Sequence, residues 1–259
     1  MKKPKTRVFG KCQLCLQEKE LQPNSHIIPD FFYRESELFH PNNHNLVTIG
    51  LNSLKNGLVK IIYNKQKTGY FDQNILCFDC DQRILGVYET YGRSFFYSKS
   101  IPIHNRLIIN DCTEYTECLN SDYQKIKLLF LSILWRTGIS KQQMFDHVRL
   151  EQEPQEAIRR MVLEGNPKTD TDFPIVFLCS LTDNSITRDH LFQPIRIKSK
   201  VNGSYSFFFC FVYNGFHYFQ GAYLLRYSSR SKLVLKVSLW VSFHLPFTIA
   251  AWIFQQIDI

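Results

Sequence analysis

The chain has 259 residues, 44% of them hydrophobic, which suits one large domain or two small ones, each able to bury a core. Lys and Arg outnumber Asp and Glu by 31 to 23, a net charge of +8, so nucleic acid is the first partner to consider, with solubility alone as the plain alternative. No apolar run of signal-peptide length follows Met1-Lys-Lys-Pro-Lys5, and the apolar stretch from Leu233 to Phe254 is broken by Lys236, His244 and Pro246, which makes it a poor membrane span; the expected location is cytoplasmic.

The charge is uneven along the chain. Residues 1–100 carry 14 basic and 9 acidic side chains, residues 101–165 carry 8 and 9, and residues 166–259 carry 9 and 5. Residues 1–10 read as a basic arm. Val8 to Leu16 reads as strand, turn and strand around Cys12-Gln-Leu-Cys15. Leu21 to Ile28 leads into His26, and Pro29 ends that element. Asp30-Phe-Phe-Tyr-Arg34 starts a short helix. Residues 35–70 form a polar, turn-rich insertion with one hairpin, in which Leu58 to Tyr63 is the best strand.

Cys77 to Phe96 reads as a helix, because Ile84, Leu85, Tyr88, Tyr91, Phe95 and Phe96 recur on one face. Asp81 sits in its first turn, where a carboxylate suits the helix dipole. A second helix is expected from Ser121 to Thr137, stopped by Gly138, and a third from Pro154 to Leu163, with Gly165 after its end. Strands follow at Phe173 to Leu181, Leu191 to Lys198, Tyr205 to Tyr213 and Phe216 to Leu225, with Asn202-Gly203 and Asn214-Gly215 as hairpin turns. Leu233 to Ile259 offers another strand and a terminal helix around Phe247 to Gln256. There is no internal repeat and no low-complexity tract.

Of the eight cysteines, four form two Cys-x-x-Cys pairs, Cys12/Cys15 and Cys77/Cys80. In a reducing compartment such pairs favour metal over disulfide. Two of them complete a tetrahedral Cys₄ site for one structural Zn²⁺, with Zn–S bonds of about 2.3 Å. The 61 residues between Cys15 and Cys77 exceed the simplest zinc ribbon, and a polar insertion spans them at little entropic cost. Cys112, Cys118, Cys179 and Cys210 have no such pairing and read as ordinary thiols.

His26 lies 11 residues past the first pair and Asp81 directly follows the second. Taken together, Cys12-Gln-Leu-Cys15, Ser25-His-Ile-Ile-Pro29 and Leu76-Cys-Phe-Asp-Cys-Asp81 resemble the HNH endonucleases of the ββα-metal type. The closer resemblance is to bacterial Ser-His-Ile-Ile-Pro proteins of that kind, some linked to phage defence. Tyr88-Glu89 and Leu131-Ser-Ile-Leu-Trp-Arg136 look like the same group. The resemblance covers residues 11–96, weakens over 121–165 and stops there.

It implies that His26 is the general base that activates water. It implies that Asp81, standing where the family usually has histidine, helps hold a catalytic Mg²⁺ or Mn²⁺ apart from the zinc. The family's central asparagine has Asn74 as its candidate match, with Asp72 nearer the usual spacing. Ser25 replaces the Asp or His often found before the base and is a poorer ligand. Glu89, two helical turns past Asp81, either supplies a carboxylate or lies on a solvated helix face, the reading preferred here. Arg34, Lys55, Lys60, Lys65 and Lys67 are candidate DNA-backbone contacts. His40, His44 and Asn45 read as loop surface, Trp135 and Arg136 as packing residues, and the aromatic run Tyr205 to Phe219 as sheet core.

The expected fold is α+β, with a zinc-stapled HNH-like nuclease domain at 1–105, a helical region at 106–165 and a C-terminal antiparallel β region at 166–259. The expected function is metal-dependent hydrolysis of phosphodiester bonds in DNA, with RNA as an alternative substrate and anti-phage defence as the role the resemblance implies. The C-terminal region is expected to meet a protein partner or trigger, or simply to complete the fold. The rival is a non-catalytic zinc-knuckle nucleic-acid-binding or adaptor protein, and a zinc-bound RNase toxin is the third reading.

Overall fold

A computed structural model describes residues 8–34, 46–53, 59–66, 68–97, 104–109, 113–117, 121–169, 171–173, 175–180, 190–198, 205–211 and 220–227. Along the chain these form β1 (Val8–Lys11), β2 (Glu18–Leu21), β3 (Ser25–His26), α1 (Phe31–Arg34), β4 (Leu46–Ser53), β5 (Val59–Gln66) and β6 (Phe71–Asp72). A π-helical segment, Asp79–Leu85, runs into α2 (Gly86–Tyr97), and β7 (His104–Ile109), β8 (Thr113–Glu117), α3 (Tyr123–Ile139) and α4 (Gln152–Glu164) follow. The last elements are β9 (Ile175–Ser180), β10 (His190–Phe192), β11 (Ile195–Lys198), β12 (Tyr205–Phe211) and β13 (Gln220–Tyr227). The architecture is mixed α+β. Among the described residues no helix is long and apolar enough to cross a membrane.

The chain forms two compact units, each built from interleaved rather than consecutive segments. The first takes its described residues from 1–30, 69–92 and 122–168, the second from 31–68, 93–121 and 169–259. The helices expected as a separate middle region therefore belong to the same unit as the cysteine pairs.

In the first unit, β1 and β2 pair antiparallel from Val8↔Leu21 to Lys11↔Glu18, which sets Lys11 opposite Glu18. Residues 21–27 then run antiparallel to residues 70–77. Leu21 bridges Cys77, Gln22 N–H donates to the Leu76 carbonyl at 2.7 Å, Ser25 pairs with Asp72, His26 with Phe71, and Ile27 N–H donates to Tyr70 at 2.9 Å. The register slips by one residue between the two ends of this ladder. Asn74, at φ 55°, absorbs the slip, and its N–H donates to the Gln22 carbonyl at 3.1 Å. Asparagine is among the few residues that tolerate the left-handed region.

α3 is buried from Ile126 through Gly138, including Lys127 and Arg136. A helix with apolar residues on every face must be covered on every face. Asp122 caps it, accepting from Lys125 N–H at 3.1 Å. The expected stop at Gly138 is corrected: the helix continues to Ile139 and ends at Ser140, which is extended at ψ 144°. A Cβ at position 138 would stand 3.1 Å from Leu150 Cδ1, so the glycine serves close packing rather than termination. α4 follows the expected pattern, with Pro154 in its first turn and Gly165 as a left-handed cap at φ 68°. Its buried residues Ile158, Met161 and Val162 recur at helical spacing, and α4 packs on α3.

In the second unit, Phe31, Phe32 and Tyr33 of α1 are buried, and Phe32 lies 5.7 Å from Phe96. A seven-stranded sheet runs in the order β5-β4-β10-β12-β13-β9, with β11 also paired to β12. The C-terminal region was expected to be antiparallel, and one contact departs from that: β10 pairs parallel with β4. The expected hairpin of the insertion is β4–β5, in register from Leu46↔Gln66 to Ser53↔Val59, and it joins the C-terminal strands in one sheet. The turns at Asn202-Gly203 and Asn214-Gly215 lie outside the described residues, as do the basic arm 1–7 and the stretch 233–259. The hairpin β7–β8 had no counterpart among the expected elements.

Candidate metal centre and the residues around it

Each cysteine pair sits on a backbone turn. Cys12 N–H donates to the Gln17 carbonyl at 2.9 Å and Leu16 N–H returns to Cys12 at 2.8 Å, closing the first knuckle between β1 and β2. Leu16 takes φ 61° to make that turn, which is unfavourable for a side chain with a Cβ. The second knuckle is the end of the 70–77 ladder and the first helical turn after it. Gln13 N–H donates to Ile75, and Asp81 N–H to Cys77, both at 2.9 Å.

These turns bring the Sγ atoms of Cys12, Cys15, Cys77 and Cys80 within 4.8 Å of one another, and none is disulfide-bonded. A tetrahedral site with Zn–S bonds of about 2.3 Å has S···S edges of about 3.8 Å, so the widest gap exceeds the ideal by no more than about 1 Å. Cys12, Cys77 and Cys80 are buried and Cys15 is half-buried. The four cysteines can hold a metal ion such as zinc.

The electrostatics fit that donor set. The hydrogen bond with Cys80 holds the Cys12 thiol down at about 4, against the effect of burial. The same bond, with burial, pushes Cys80 up, and burial pushes Cys77 up. Thiolates packed this closely repel one another, and a dication is what holds four together. Cys77 N–H donates to Cys12 Sγ at 3.3 Å. Basic groups lie around the cluster. Lys19, bonded to Asp79 at 3.2 Å, is raised chiefly by that carboxylate, with Cys77 and Cys15 adding. Arg159 is raised chiefly by Glu156, with Cys15 adding, and its Nη1 donates to the Leu14 carbonyl inside the first knuckle.

His26 stands further along the same ladder, its side chain 41% exposed and its Nε2 3.8 Å from Asp30 Oδ1. Ile27, Ile28 and Pro29 after it are buried and anchor the strand. Ser25 is buried, and its Oγ has no hydrogen-bond partner. Asp81 is half-buried and accepts from Gln82 Nε2 at 2.6 Å.

Glu89 corrects the preferred reading of a solvated helix face. Its side chain is 27% exposed and pairs with Arg136 Nη1 at 2.8 Å. Burial raises its carboxyl, Arg136 opposes this, Asp81 raises it further and His26 lowers it. Glu89 thus feels both His26 and Asp81. Among the described residues, however, no second group of three or more Cys, His, Asp or Glu ligand atoms converges as the cysteines do.

The other candidates have plain structural surroundings. Asn74 makes the left-handed turn described above. Asp72 is buried, accepting from Lys141 N–H at 3.0 Å and Gln142 Nε2 at 3.1 Å. Trp135 and Arg136 are buried, as expected of packing residues. Arg34 is exposed at the end of α1, and Lys60 and Lys65 lie on β5, all three in the second unit. Lys55, Lys67, His40, His44 and Asn45 lie outside the described residues. The reading missed that Arg136 donates to the His26 carbonyl and that Arg159 reaches Leu14. A charge inside an apolar helical run was the available signal for the first. Comparison of the chain with protein-family models, curated proteins and solved structures finds no match.

Proposed function

We propose that this chain is a metal-dependent HNH-type endonuclease that hydrolyses phosphodiester bonds in DNA. The observation that supports it most is that one nitrogen of Arg136 bonds both the His26 carbonyl and Glu89, on the ladder and helix that also carry the four cysteines. In this reading the β3–β6 ladder and the helix after Cys80 serve as the ββα-metal unit, with the four cysteines as its zinc staple. The zinc in this reading is structural.

His26 is exposed enough to meet solvent, and a neutral imidazole there takes a proton from the attacking water. The Asp30 carboxylate lies 3.8 Å from the ring nitrogen. Asp81 offers a hard, half-buried carboxylate, which would suit a Mg²⁺ or Mn²⁺ ion that keeps most of its waters and takes its other ligands from phosphate. Such an ion supplies charge stabilisation at the phosphate and at the leaving 3′ oxygen. Glu89 brings a further carboxylate, paired with Arg136 at 2.8 Å. A defence role rests on the sequence resemblance alone.

One observation favours the non-catalytic rival. His26, Asp81 and Glu89 already have partners in Asp30, Gln82 and Arg136, and only the cysteines form a converged ligand group among the described residues. The test is incubation of the zinc-loaded protein with supercoiled plasmid in Mg²⁺, Mn²⁺ or EDTA. Nicking or linearisation with metal and none with EDTA supports the nuclease. A salt-sensitive mobility shift with no cleavage in any metal supports the binding module.

A further inference from the structure

Arg136 lies on α3, 110 residues from His26 in sequence, and is 1% exposed. Its Nη1 donates to the His26 carbonyl at 2.7 Å and to Glu89 Oε1 at 2.8 Å. Its Nε donates to the Ser132 carbonyl at 3.3 Å and its Nη2 to Ser132 Oγ at 3.2 Å. Ser132, fully buried, donates in turn to Leu129 at 2.6 Å. The guanidinium is therefore fixed by its own helix and presents one nitrogen to two acceptors on other segments. β3 is only two residues long, so its ladder to β6 gives the backbone at His26 little stiffness of its own.

We propose that Arg136 is the positioning residue for His26. It sets the height of the His26 carbonyl, and so the aim of the imidazole, while turning the Glu89 carboxylate to the same face. This rests on the nuclease reading of His26. Arg136 meets neither water nor phosphate in this scheme; it acts through His26. A planar fork can hold Ser132, His26 and Glu89 at once, whereas an ammonium is a point charge on a flexible stem.

The test compares wild type, Arg136→Lys and Ser132→Ala as full-length zinc-loaded chains in Mg²⁺-dependent plasmid cleavage, alongside amide hydrogen exchange. Arg136→Lys is expected to lower kcat by about 10- to 100-fold with KM within about twofold, the scale of loss for a misplaced catalytic group. Ser132→Ala, which removes one prop and leaves the clamp, is expected to lower kcat by a few-fold. In Arg136→Lys the Ile27 amide, bonded to Tyr70, should exchange about tenfold faster while the Cys77 amide, bonded to Cys12 Sγ, keeps its protection. Unchanged kcat in both variants overturns the proposal. So does a joint change in kcat and KM with loss of protection across the knuckles, the mark of a general structural role. If wild type cleaves nothing, the nuclease reading fails separately; the exchange data then decide, with faster exchange confined to Ile27 upholding the positioning role and unchanged exchange overturning it.

Discussion

Removing the metal from the four cysteines should unfold the knuckle half of the first unit and spare the α3–α4 pair. The strands around the cluster are short: β1 and β2 have four residues each, β3 and β6 two each. Two-stranded ribbons of this size are marginal in water. The buried apolar side chains of these segments are chiefly Leu14, Leu21, Ile27, Ile28, Tyr70, Leu76 and Leu85. At about 2 kcal/mol each, they supply about 14 kcal/mol before chain entropy is counted. The entropy lost on ordering the backbone of the knuckles and ladder opposes this. A structural zinc contributes about 10–16 kcal/mol in comparable small sites, as much as the whole stability of a typical domain. The knuckles should therefore not persist without it. The assay is zinc content by mass spectrometry, then hydrogen exchange with and without a strong chelator, and the same pair of measurements on Cys77→Ser. Expected are about one zinc per chain and, on chelation, loss of protection in 8–30 and 69–85 with retention in α3 and α4. Protein that carries no metal as purified, yet protects the Cys77 and Asp81 amides fully, would refute the reasoning.

Three further outcomes follow from particular contacts. Arg159→Ala removes a charged donor from the Leu14 carbonyl inside the first knuckle; a loss of about 1.5–3 kcal/mol and faster zinc release to a chelator are expected. Gly165→Ala places a Cβ at φ 68°, which should lower stability by about 1 kcal/mol, read as a drop in the denaturant midpoint with an unchanged slope. Asp122→Ala removes the α3 cap and should lower stability by about 1 kcal/mol at pH 7. Lys125 holds the Asp122 carboxyl below its usual value. Its contribution is therefore complete above the unfolded pKa of about 3.9 and is lost as pH falls through the depressed folded value. The mutant's deficit should accordingly shrink in acid; a deficit that persists unchanged at low pH would place its origin elsewhere.

What was legible in the sequence was whatever local chemistry dictates. The Cys-x-x-Cys pairs announce themselves, because two soft ligands on one tight turn have few other uses. α4 was readable from Pro154 near its start and Gly165 after its end. The β4–β5 hairpin was readable as alternation between turns. Long-range consequences were less so. Nothing local says that this hairpin joins strands over a hundred residues later, because parallel pairing of β10 with β4 is set by the sheet as a whole. Gly138 reads as a stop until Leu150 is seen against it. Glu89 reads as surface because its partner Arg136 is 47 residues away, and Arg136 reads as packing because the His26 carbonyl has no sequence signature. His26 and Asp81 were singled out by motif resemblance, because spacing alone does not join them.

The most direct test of the nuclease account is plasmid cleavage by His26→Ala and Asp81→Ala beside wild type, on protein first shown to keep its zinc and its thermal transition. Both side chains are at least partly exposed, so neither change should unfold the chain. The account predicts Mg²⁺- or Mn²⁺-dependent cleavage by wild type, a loss of at least about 100-fold in each variant, and retained DNA binding in both. Cleavage that survives in both variants, or a wild type that only binds DNA in every metal, would contradict it.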